Sequence, residues 1–93
     1  MNQSNGDSWR VYFTSAAKID AKKLSRSNLK DKTEHLLNVI RKDPSKQPPP
    51  FEKLMGDLKG AYSRRINIQH RLVYQVLTET RSIKVLRMLS HYE

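Results

Sequence analysis

The stretch Gly60-Ala61-Tyr62-Ser63-Arg64-Arg65-Ile66-Asn67-Ile68-Gln69-His70-Arg71-Leu72-Val73-Tyr74 decides the fold. From Ala61 to Ile68 the residues alternate, with Tyr62, Arg64, Ile66 and Ile68 on one side and Ser63, Arg65 and Asn67 on the other. That is the period of a strand with two unlike faces. His70 to Leu77 is a mostly apolar run, as expected of a central strand. Asn67 to Gln69 turns the chain between them. The pattern does not fix the register of that turn, so either Arg64 or Arg65 can share a face with Arg71.

Downstream, Thr78 to Arg81 turns the chain again, and Ser82 to Ser90 reads as a last strand through Ile83, Val85 and Leu86. Upstream, Gly56 and Gly60 mark turns around Leu58. Pro48-Pro49-Pro50 favours an extended polyproline path, a stiff segment that delivers Glu52 to a fixed place. Before it, Leu29, Leu36, Leu37 and Ile40 recur at helical spacing, with Ser27 or Asn28 as the cap and Asp43-Pro44 as the stop. An earlier helix carries Ala17, Ala21 and Leu24 on one face and Lys18, Lys22 and Lys23 on the other, capped by Ser15. Trp9 to Thr14, aromatic and β-branched, reads as a first strand. The order β-α-α-β-β-β makes an α+β fold, two helices on one face of a mostly antiparallel sheet. The other face is left to Arg, Lys and His side chains as a ligand surface.

The chain has 93 residues, enough for a single domain over 9–93, after a polar tail over 1–8 that buries nothing. It carries 18 Lys and Arg against 9 Asp and Glu, a net charge of +9. A small domain with that excess meets a polyanion, nucleic acid above all, although solubility alone or an acidic protein partner also accounts for it. No Cys is present, which excludes disulfides, thiolate metal sites and a cysteine nucleophile. No His, Asp or Glu spacing suggests a metal site, and no Gly-rich phosphate loop occurs, so no cofactor is expected. With no signal core and no apolar run near the roughly 18 residues a membrane span needs, a cytoplasmic protein is the simplest reading.

Three groups in the C-terminal half carry chemistry. RNA is cut without metal when its 2′-OH attacks the adjacent phosphorus, which calls for a base, a cation for the phosphorane and an acid for the leaving oxygen. Glu52 suits the base, or is a solvated carboxylate paired with Lys53. Arg71 and Arg65 suit a phosphate clamp, because the guanidinium fork binds two oxygens at once, or form a basic patch that tracks RNA or faces a protein partner. Arg64, Lys53 and Lys59 join them as candidate RNA contacts. His91 suits the acid, with an unperturbed pKa near about 6.5, or is a merely exposed end residue. Tyr92 can stack on a base or support the phosphate.

Leu58-Lys59-Gly60-Ala61-Tyr62-Ser63-Arg64-Arg65-Ile66, then His70-Arg71-Leu72-Val73-Tyr74 and His91-Tyr92, closely resemble the Txe/YoeB toxins of the RelE-like superfamily. The resemblance spans about Val11 to Tyr92. It implies a RelE-like fold and an mRNA interferase that cleaves message in the A site of the 70S ribosome. It also implies a base at Glu52, phosphate stabilisation at Arg71, an acid at His91, a supporting Tyr92 and a second basic residue at Arg65. A YefM- or Axe-type antitoxin and homodimer formation belong to the same implication. The chain departs from the family pattern in flanking Glu52 with Phe51 and Lys53, in placing Tyr62 before Ser63-Arg64-Arg65, and in ending with Glu93. The alternative is a non-catalytic basic RNA- or ribosome-binding module on the same fold, which binds RNA in a salt-dependent way but does not cut it.

Overall fold

The computed structural model describes residues 8–56 and 60–89. Strand β1 (Arg10–Phe13) leads into helix α1 (Ser15–Leu24), then helix α2 (Lys30–Lys42) and strands β2 (Glu52–Lys53), β3 (Ala61–Arg65), β4 (Arg71–Leu77) and β5 (Ser82–Arg87). The five strands form one sheet in the order β1-β5-β4-β3-β2. Among the described residues, β1 and β5 run parallel and the other neighbouring pairs antiparallel. This is the expected α+β arrangement with one addition. The two-residue strand β2 extends the sheet beyond β3, at the place where Glu52 sits.

Helix α1 starts one residue earlier than Ser15 as a cap implies. Thr14 is extended, and its Oγ1 accepts from the Ala17 N–H at 3.1 Å while donating to the Leu86 carbonyl at 2.9 Å. The same hydroxyl thus caps the helix and ties it to the far end of β5. Lys22 and Lys23 fall in the last turn, where positive charge suits the helix dipole. In α2 the cap position is Leu29, which offers no side-chain acceptor. Ser27 instead accepts from the Leu29 N–H at 3.0 Å, from two residues before the cap position. Asp43 is extended before Pro44, and the helix ends there.

Ala17 and Leu24 of α1 and Leu36 and Ile40 of α2 pack on Leu72, Tyr74, Ile83 and Val85 of the sheet. Residues directly opposite on neighbouring strands share a face. Tyr62 opposite Tyr74 and Arg64 opposite Leu72 therefore belong to the helix-covered side. Ser63, Arg65 and Arg71 belong to the other. The alternation expected through Ile68 stops at Arg65, and Ile68 lies in the turn, 93% exposed. In the proline-rich segment the Gln47–Pro48 and Pro48–Pro49 peptides are cis, in place of a uniform polyproline path. Among the described residues no helix is long and apolar enough to cross a membrane.

Candidate active site on the open face of the sheet

Register builds the site. Glu52 stands opposite Ser63, and Arg65 stands opposite Arg71. All four face away from the helices, where an antiparallel sheet can present polar groups to solvent. Arg71 Nη1 lies 3.0 Å from Glu52 Oε1 and 3.4 Å from Ser63 Oγ, donating to both. Around them Pro50, Phe51, Glu52, Ser63, Arg65 and Arg71 line a shallow cleft of about 300 Å³. The Glu52 side chain is 67% exposed and that of Arg71 26% exposed, so the carboxylate is open to solvent while the guanidinium is held from below. An exposed ion pair of this kind is worth only about 0–1 kcal/mol. A phosphate can therefore replace Glu52 on Arg71 at small cost, freeing a carboxylate beside the bound group.

Arg64 takes a different place from the one expected of an RNA contact. It is 0% exposed on the helix side of β3. Its Nε donates to Tyr74 Oη at 2.8 Å, its Nη1 to the Pro49 carbonyl at 2.6 Å and its Nη2 to the Pro44 carbonyl at 3.0 Å. Adjacent strand residues point to opposite faces, and the register puts Arg65, not Arg64, beside Arg71. This corrects the grouping of Arg64 with the RNA-facing cations. Burial pushes the Tyr74 phenol up, and the neighbouring Arg64 offsets only part of that rise. The phenol stays protonated and donates in turn to the Pro44 carbonyl at 3.0 Å.

Lys53 is exposed but stands opposite Tyr62, on the face turned away from Glu52. Lys59, His91 and Tyr92 lie outside the described residues. The end of β5 and the two residues after it are held on both sides. Buried Asp20 of α1 accepts from Arg87 Nε at 2.9 Å, from Arg87 Nη2 at 3.2 Å, and from the amides of Met88 at 2.9 Å and Leu89 at 3.3 Å. Burial raises the Asp20 carboxyl, but the hydrogen bonds from Arg87, Met88 and Leu89 outweigh it and hold the group below its ordinary value. From the other side His70 Nδ1 bonds the Leu89 carbonyl, which can only accept, so Nδ1 carries the proton. Ser63 and Asp20 have no signal of their own in the sequence. Ser63 becomes visible only through its register with Glu52, and Asp20 reads as one polar residue on a lysine-rich helix.

The family described as YoeB-like toxin of bacterial type II toxin-antitoxin system matches residues 8–92. Toxin YoeB of Synechocystis sp. (strain ATCC 27184 / PCC 6803 / Kazusa) is 35% identical over 86 residues, which cover 92% of this chain and 90% of that one. Among solved structures, the YoeB/ParE toxin from Agrobacterium tumefaciens superposes with a TM-score of 0.82 at 27% identity, covering 89% of this chain and 99% of that one. The YoeB-YefM complex from Staphylococcus aureus contains a chain that superposes at 0.76 with 36% identity, covering 90% and 98%.

Proposed function

The chain belongs to the YoeB-like toxins of bacterial type II toxin-antitoxin systems, and from that premise we propose that it is an mRNA interferase that cleaves message in the ribosomal A site. The reaction is metal-free. Glu52 removes the proton from a 2′-OH, whose oxygen attacks the adjacent phosphorus in line. Arg71, with Arg65 opposite it, neutralises the charge that gathers on the phosphorane oxygens. His91 protonates the departing 5′-oxygen, and Tyr92 supports the phosphate. The products are a 2′,3′-cyclic phosphate and a 5′-OH. Placed acid and base groups supply about 10²–10⁴-fold each. Arg65 and Lys59 meet the RNA backbone, and an antitoxin of the YefM type holds the toxin inactive.

The observation that carries this reading is the contact between Arg71 and Glu52 at 3.0 Å on the uncovered face. That contact supports the reading of Glu52 as a base and Arg71 as the cation for the phosphate, because the two side chains meet on an open, solvent-facing surface. The test adds purified protein to mRNA-programmed ribosomes, with naked message alongside, and maps the RNA ends. Cuts within the A-site codon that require the ribosome and disappear with His91→Ala support the reading. Tight ribosome binding with intact message overturns it in favour of a binding module.

A further inference from the structure

The buried cation Arg64 has no part in the chemistry above, yet its position touches it closely. Among the described residues its acceptors are two carbonyls and a phenol, not a carboxylate. Both carbonyls belong to the segment that runs from the end of α2 to β2. That segment contains Pro44, Pro48, Pro49 and Pro50, none of which has an N–H to give to a ladder. At those prolines only the carbonyls can be tied down, and each needs a donor. The guanidinium is such a group, with five N–H donors in a rigid fork.

The hold extends to the next residue. The Arg64 guanidinium carbon lies 5.1 Å from the centre of the Phe51 ring, and that ring meets Tyr62 edge-on at 5.2 Å. Tyr62 stacks in turn on Tyr74 at 5.8 Å. Phe51 is thus clasped on the helix side of the sheet, and the following residue, Glu52, turns to the opposite face toward Arg71. The strand that carries Glu52 has two residues and one further ladder bond, Leu54 N–H to the Ala61 carbonyl at 2.9 Å. So short an edge strand has little pairing with which to fix its own place.

We propose that Arg64 is a positioning residue that acts through Pro44, Pro49 and Phe51 to set where the Glu52 carboxylate stands. The proposal rests on Glu52 being the base of the reaction described above. An Arg64→Lys variant keeps the charge but not the fork, and it frees the segment.

Two measurements on the full chain decide the matter. The first is amide hydrogen exchange. Arg64→Lys speeds exchange at Leu54 by about tenfold or more while the amides of Tyr74 and Val85 keep their protection. Unchanged exchange at Leu54 overturns the proposal. The second is cleavage on programmed ribosomes. Arg64→Lys lowers kcat on the order of 100-fold with KM unchanged, the effect of a displaced catalytic group. In a Glu52→Gln background the same change costs nothing more. Equal losses in both backgrounds overturn the proposal. If Arg64→Lys fails to fold, Phe51→Ala at the half-buried ring gives the same two signatures. A wild-type chain that cuts no message sinks the functional reading alone, and the exchange measurement still decides the anchor.

Discussion

Arg65 and Arg71 stand directly opposite each other on β3 and β4, two guanidinium-bearing residues paired across the sheet. Like charges at such a position destabilise a sheet. Only Arg71 has the Glu52 carboxylate at 3.0 Å. The pair makes physical sense as a place prepared for a doubly contacted anion. Arg65→Gln is expected to leave the protein as stable or slightly more stable, while weakening RNA binding and reducing its salt slope by about one. Thermal melts and RNA titrations at several salt concentrations check both halves.

Glu52→Gln separates chemistry from folding. The exposed pair with Arg71 contributes about 0–1 kcal/mol, so the melting temperature stays nearly constant. Cleavage falls by about 10²–10⁴-fold, because the amide cannot take a proton. Mapping of message ends beside a thermal melt tests this, and a variant that still cuts at the wild-type rate removes Glu52 from the mechanism.

Asp20 governs the acid limb of stability. Its folded carboxyl lies below its ordinary value of 3.8, so the unfolded chain binds more protons between the two values. Its contribution is therefore complete above about pH 3.8 and is lost as the pH falls through the depressed folded value. Asp20→Asn is expected to cost about 1–3 kcal/mol at neutral pH and to flatten the acid limb. Urea midpoints measured from pH 6 downward show whether the two curves converge.

Tyr74→Phe removes the hydroxyl that accepts from Arg64 and donates to Pro44. A buried guanidinium N–H then lacks its partner, at a cost of about 1–3 kcal/mol. The wild-type phenol, raised by burial, gives stability that is complete below its ordinary value of 10.0 and fades as the pH rises through the folded value. Denaturation at pH 7 and in alkali distinguishes the variant, whose alkaline limb lacks this contribution.

The larger elements were legible because they repeat. Leu36 and Ile40 mark a helix face, and the apolar run through Leu72 and Val73 marks the central strand. The Ser63-Arg64-Arg65-Ile66 and His70-Arg71-Leu72-Val73-Tyr74 segments carried the family resemblance. What was not legible depends on register or on brevity. Asn67 Oδ1 accepts from the amides of Gln69 and His70 and shapes the turn that seats Arg65, rather than Arg64, against Arg71. No periodicity reports that geometry. Strand β2 has two residues, too few to show any period. The helix caps were displaced by one position or more because Thr14 and Ser27 answer to neighbouring backbone, not to the apolar pattern alone.

The parallel pairing of β1 with β5 also sets a schedule for the chain's own birth. Arg10 to Phe13 find their ladder partners only at Ser82 to Val85, and the Thr14 hydroxyl reaches the Leu86 carbonyl across 72 positions. Contacts of such long sequence separation form late, after the loop between them has been closed. While the chain emerges from the ribosome that makes it, β1 therefore waits for a partner made long after it.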